Sequence, residues 1–339
     1  MSLPSPAEGG GIGRHGRLAL EIAFWALAFA SVWLFPRKLL ILNEIAILGL
    51  FALSLDLLLG YAGILSLGHA AFLGLGAYTA GLFALHVSGD PLIGLAATIP
   101  VAALVGLASA FLILRGNDLT RLMVTVGLAT VFYEIANKAA FVTGGADGLQ
   151  GITMGPVLGL WEFDLFGRTA YLYSLVTLFV LFLLARRLVA SRFGLSLRAI
   201  RDNPLRARAI GIPVTWRLVT VHTIAAVYAG IAGVLIAQTT QFVSLDVLAI
   251  HRSADVLLVL VIGGTGYLYG GLIGALAFKL LQDVLANLTP QYWHFWIGLM
   301  LVLLVLAGRE RMGRGLARLW QRAPAREPEI QRTPSAELT

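Results

Sequence analysis

An all-α, polytopic integral membrane protein is what this sequence predicts, and three observations carry the prediction. Of 339 residues, 58% are hydrophobic and only 13% are charged, where soluble domains carry about 25% charged residues. Apolar runs of roughly 20 residues, long enough to cross about 30 Å of hydrocarbon, recur along nearly the whole chain. Arginine is concentrated in loops and tails beside those runs, the distribution that sets orientation in a bilayer. No stretch is left over for a soluble domain of ordinary size.

The spans fall near 18–35, 39–59, 66–87, 92–114, 119–140, 169–185 and 217–238, then a shorter pair at 254–262 and 271–288, and a last one at 293–308. That makes about 8–10 transmembrane helices, some broken or re-entrant. Residues 18–308 are the transmembrane domain, flanked by tails at 1–17 and 309–339. The polar, glycine-rich start MSLPSPAEGGGIGRHGR precedes a span with no small-residue cleavage signal, so it reads as a cytosolic tail. Loop 186–217 holds eight arginines and Asp202 as its one acid, which assigns it to the cytosol. Seven Arg against four Glu after Gly308, with Arg14 and Arg17 before the first span, put both termini on that side. Counting crossings brings Arg115 and Arg121 to the same side and sends 141–168 outside; Arg37 and Lys38 dissent and can snorkel to head groups.

A net charge of +7 does not point to nucleic acid, because the basic residues flank apolar spans with no interleaved aromatics to stack on bases. The chain has no cysteine, and its six histidines lack ligand spacing, so no metal site is expected. There is no GxSxG, no HExxH and no phosphate-binding loop with Gly-Lys before Ser or Thr. The chain is therefore not expected to be an enzyme or to hold a cofactor, and any ATP that drives it binds elsewhere.

Two glycine-rich interruptions stand out, GYAGILSLGHAAFLGLGAYTAG at 60–81 and GGTGYLYGGLIGA at 263–275. They occupy corresponding places in a weak parallel repeat. Broken segments at matching positions point to a transport pathway, since unwound backbone at depth is tolerated only where it is buried or lines water. Ser66, Gly68 and His69 in the first, and Gly263, Gly264 and Gly266 in the second, are the pathway residues expected. The plainer alternative is that the glycines let helices approach closely and that His69 is a packed hydrogen-bonding residue. Ionisable residues inside spans are Glu44, Asp56, Glu134 with Lys138, and Lys279 with Asp283; the two pairs spaced by four share a helical face.

The cationic segment 190–212 reads as a helix over about 194–202, a turn forced at Asn203-Pro204, and a second stretch through Gly211. Four motifs in one order, GYAGILSLGHAAFLGLGAYTAGL, TGGADGLQGI, SRFGLSLRAIRDNPLRARAIGIPV and VIGGTGYLYGGLIGALAF, resemble the permease subunits of ABC importers for branched-chain amino acids, the LivH/LivM family, and more closely its LivM type.

That resemblance implies a permease in the bacterial cytoplasmic membrane that pairs with a LivH-like second permease. Two LivG/LivF-like ATPase subunits would bind ATP and Mg, and a periplasmic binding protein would deliver solute. Leu197, Arg198, Ala199, Ile200, Arg201, Asp202 and Asn203 would dock on an ATPase, with Leu197 and Ile200 filling its groove. Thr143, Gly144, Gly145, Asp147 and Gly148 would face the binding protein. The solute is left open among branched-chain and related amino acids, urea, short amides and aromatic acids. An ion-coupled secondary transporter and a lipid-modifying enzyme are the rival classes, and the second lacks any acid/base or metal cluster.

Overall fold

The structure, a computed structural model, describes residues 14–288 except Asn117 and Leu165, together with residues 292, 295, 296, 298 and 299. Most of the expected span at 293–308 and both tails beyond Arg14 and Gly308 lie outside the described residues.

Twelve α-helices follow one another, and no strand forms among the described residues: α1 Arg14–Leu34, α2 Leu39–Asp56, α3 Ala70–His86, α4 Pro91–Ile113, α5 Asp118–Lys138, the single turn α6 Ala140–Thr143, α7 Arg168–Ala190, α8 Arg192–Asp202, α9 Pro204–Ala209, α10 Val214–Thr240, α11 Ile250–Gly263 and α12 Leu268–Leu288. Six of these, α2 with its extension to Tyr61, α4, α5, α7, α10 and α12, are long and apolar enough to cross a membrane, and α3 and part of α1 are shorter apolar helices. The chain is thus a polytopic, all-α membrane protein. Each apolar run expected within the described residues becomes a helix, because in hydrocarbon the backbone must satisfy its own hydrogen bonds.

α10 is the centre of the bundle, packed against α3, α4 and α2. Glycine makes that packing possible. A Cβ on Gly76 would fall on the Gly230 carbonyl, and one on Gly233 would fall on the Leu73 carbonyl, so α3 and α10 cross almost backbone to backbone. α4 begins with Asp90, whose carboxylate accepts from the Leu92 and Ile93 amides at 2.9 and 3.3 Å, with Pro91 in the first turn. α5 stands apart: 17% of its most apolar window is buried in this chain, against 72% for α10.

Candidate functional site

The arginine-rich end of the bundle gathers both glycine breaks. After Asp56 the last turn of α2 widens into a π-turn, Leu57–Tyr61, and the chain leaves it at Gly63, whose φ of +73° suits glycine. Gly264 and Gly266, at φ +99° and +76°, form the break between α11 and α12. The two breaks touch. Asp56, with no exposed surface, accepts the Gly266 amide on Oδ1 at 2.7 Å. A Cβ on Gly60 would overlap both that carboxylate and the Gly266 backbone.

Over this contact lie α8 and α9. Ser191 caps α8 through the Phe193 amide at 3.2 Å, and Asn203 caps α9 through the Arg206 amide at 2.9 Å, with Pro204 opening the second helix. The helix, turn and helix expected here are thus built by the residues that announced them. Arg198 donates to the Val189 carbonyl at 3.0 Å, closing the end of α7, and Arg201 donates to the Gly60 carbonyl. Leu197 and Ile200 are 1% and 4% exposed. This corrects the expectation that they fill a partner's groove: they pack inside their own chain. The outward apolar side chains are Leu195 and Leu205, 64% and 74% exposed, beside the exposed Asp202 and Arg206. The sequence offered Leu195 only as one apolar contact beside Leu197 and Ile200, and Leu205 was passed over. Stepping at helical spacing from Leu195 through Arg198 to Asp202 would have revealed the opposite edge of α8. Behind the helix pair a cavity of about 280 Å³ is bordered by Gly63, Asp118, Arg121, Ile200, Arg201 and Arg208.

Ser66 and His69 are enclosed within the chain, at 1% and 0% exposure. His69 Nε2 lies 2.8 Å from Ser54 Oγ, which donates to the Phe51 carbonyl at 2.6 Å, so the ring nitrogen is the donor to the hydroxyl. The imidazole stacks on Phe51 with centroids 5.6 Å apart and meets Phe72 edge-on at 5.8 Å. Gly68 presses on the Thr125 carbonyl of α5, and Ser253 of α11 accepts the Ala70 amide at 2.9 Å. This segment therefore anchors α3 to α5 and α11. A Cβ on Gly263 would strike the Gly270 carbonyl, so that glycine lets the start of α12 fold back along α11.

At the opposite end, Thr143 Oγ1 donates to the Ala136 and Ala139 carbonyls at 2.5 and 2.9 Å and accepts the Gly145 amide at 3.3 Å. Gly144, Gly145 and Gly148 all have positive φ, and Leu149 pairs with Val243 at 2.7 and 3.2 Å. The turn presents Asp147 to solvent and buries Gly148 against Phe242. Within the spans, Lys279 of α12 pairs with Glu44 of α2 at 2.5 Å. Among the described residues no three His, Asp or Glu side chains come together as a metal site.

A bundle whose helix-breaking glycines converge beneath an arginine-rich helix pair is the frame on which the family comparison bears. The sequence profile of the branched-chain amino acid transport system permease components matches residues 39–305. The chain belongs to that family. Among its relatives are the high-affinity branched-chain amino acid transport system permease proteins LivM of Salmonella typhimurium, 28% identical over 76% of this chain, and of Escherichia coli, 27% identical over the same share. The chain spans 65% of the length of each. The fructose import permease protein FrcC of Rhizobium meliloti is 25% identical over 78% of this chain and 76% of its own length. No solved structure matches. The family is one of permease components.

Proposed function

We propose that the chain is a permease subunit of an ATP-driven importer in the bacterial cytoplasmic membrane, passing branched-chain or related amino acids inward. Its ATP and Mg are bound by two LivG/LivF-like ATPases, its core is completed by a LivH-like permease, and a periplasmic binding protein delivers solute at the 143–148 turn. The observation that carries the reading is the α8–α9 pair, which offers Leu195, Asp202, Leu205 and Arg206 outward while resting on both glycine breaks. The segment 190–212 is then the coupling element, worked by ATPases that close and open, and both termini lie on its side of the membrane.

The open face of α5 supports a partnered core. It carries Gly127, Thr130, Glu134 and Lys138 beside a hollow of about 510 Å³. Glu134 and Lys138 lie at the C-terminal end of α5, and charged side chains turned to lipid are unfavourable, so a second permease and a polar path suit this face better than acyl chains. Ser66, Gly68 and His69 stand behind that path and hold α5 in place, while Gly263, Gly264 and Gly266 shape its cytosolic mouth. The deciding experiment reconstitutes the chain with its cognate partners in proteoliposomes. Uptake should need external binding protein and internal ATP and ignore ionophores. Uptake by this polypeptide alone, collapsed by an ionophore, would refute the reading.

A further inference from the structure

One side chain joins α8 to the two breaks: that of Arg201 is 40% exposed, but one guanidinium nitrogen reaches into the chain. Arg201, on the last turn of α8, donates Nη1 to the Gly60 carbonyl across 141 residues of sequence. Gly60 lies one turn beyond Asp56, whose Oδ1 holds the Gly266 amide at 2.7 Å across 210 residues. A Cβ placed on Gly266 would lie 3.2 Å from Arg201 Nη1 and 3.2 Å from the Gly60 oxygen. The end of α2, the break before α12 and the end of α8 therefore surround a single point. On its other side the same guanidinium faces Asp202, with Nε 3.6 Å from Oδ1.

We propose that Arg201 is a positioning residue, an internal strut that makes α8 and both glycine breaks move as one body, and not a contact for the ATPase. The proposal rests on reading α8–α9 as the coupling element. A carbonyl at the end of a π-turn has lost its intrahelical donor, and leaving a buried acceptor unsatisfied is unfavourable, so the guanidinium stays with Gly60 as α8 shifts. Its planar fork fixes direction as well as distance, which a rotating ammonium does not. Asp56 then passes the displacement to the Gly266 amide and so to the start of α12. Where these segments meet, Gly60 and Gly266 have no side chains to resist the approach. A pull on the outward edge at Leu205 would thus reach two membrane helices through two polar contacts.

Arg201→Ala, Arg201→Lys and Leu205→Asp, each in the chain assembled with its cognate ATPase and permease, test this. Arg201→Ala should keep the ATPase in the purified complex while solute moved per ATP falls about tenfold or more, as expected for losing a hydrogen bond from a charged donor. Arg201→Lys should restore part of the coupling, since an ammonium can donate to the same carbonyl. Leu205→Asp should instead shed the ATPase. A second readout uses the absence of cysteine: spin labels on Arg192→Cys and Tyr267→Cys, both exposed, should report one narrow distance in nucleotide-free and ATP-trapped complexes, and a broad one once Arg201 is Ala. Unchanged coupling and an unchanged distance in Arg201→Ala would overturn the strut. So would loss of the ATPase from Arg201→Ala. If Leu205→Asp keeps both the ATPase and full coupling, the failure lies in the reading of α8–α9.

Discussion

Replacing His69 separates a packed histidine from one that handles solute. His69→Ala removes a hydrogen bond to Ser54 Oγ at 2.8 Å and ring contacts to Phe51 and Phe72 at 5.6 and 5.8 Å, all at a fully enclosed position. The bond contributes about 1 kcal/mol and each ring contact about 0.5–1.5 kcal/mol. An unfilled cavity adds on the order of 1 kcal/mol. The sum is about 3–5 kcal/mol. His69→Phe keeps both ring contacts, and Ser54 still donates to the Phe51 carbonyl, so its loss should be about 1 kcal/mol. Thermal unfolding of the purified chain in detergent would show the Ala midpoint lowered by on the order of 10 °C and most of that recovered in Phe. Uptake by the fraction that still folds should keep its KM. A His69→Ala protein with the parent midpoint and a tenfold shift in solute KM would refute the packing argument and return His69 to the path itself.

Gly68→Ala drives a methyl into the Thr125 carbonyl and should loosen α3 from α5, which would appear as faster proteolysis and weaker association with the partner permease; full stability and assembly would contradict this. Lys279→Met leaves Glu44 without its partner across the α2–α12 contact and should lower the unfolding midpoint, whereas adding Glu44→Gln should recover most of the loss, a coupling of about 1 kcal/mol that a double-mutant cycle measures. Asp147→Cys should react with a membrane-impermeant maleimide on intact cells, while Leu205→Cys should react only after permeabilisation; the reverse pattern would invert the orientation.

The helices were legible because a bilayer leaves the backbone few options, so apolar length alone located α2, α4, α7 and α10. The α8–α9 turn was legible for a local reason: Pro204 bars its predecessor from helix, and Asn203 can cap the helix that Pro204 opens. Which face of each helix looks inward was not legible for α2, α3 and α10, whose residues are apolar nearly all round and so carry no periodic signal. Asp56 illustrates the limit. From the sequence it is an acid one turn before a glycine break. Its partner is an amide 210 residues away, and only the meeting of the two breaks makes that pairing available. Leu197 and Ile200 fail in a related way, since an apolar pair on a cationic helix serves equally to seat the helix on its own chain or to dock a partner.

The arginines of the 186–217 loop follow the positive-inside pattern, but topology explains only part of their placement. Arg186 pairs with Glu21 of α1 at 2.7 Å, Arg198 closes the end of α7, Arg201 closes the end of α2, and the Arg217 guanidinium lies 5.2 Å over the Phe193 ring. Two of these four act on helix C-termini, where orphaned carbonyls and the negative end of the helix dipole favour a cation. A loop that must be cationic to stay on its side of the membrane thus supplies the donors its neighbouring helix ends require. Total charge and charge placement therefore have different consequences. Removing Arg206 or Arg208, both exposed and neither bonded to a helix end through its guanidinium, lowers the loop's positive charge yet leaves the ends of α2 and α7 closed. Removing Arg198 or Arg201 lowers it by the same amount and opens a helix end, in the case of Arg201 at the point where the two glycine breaks meet.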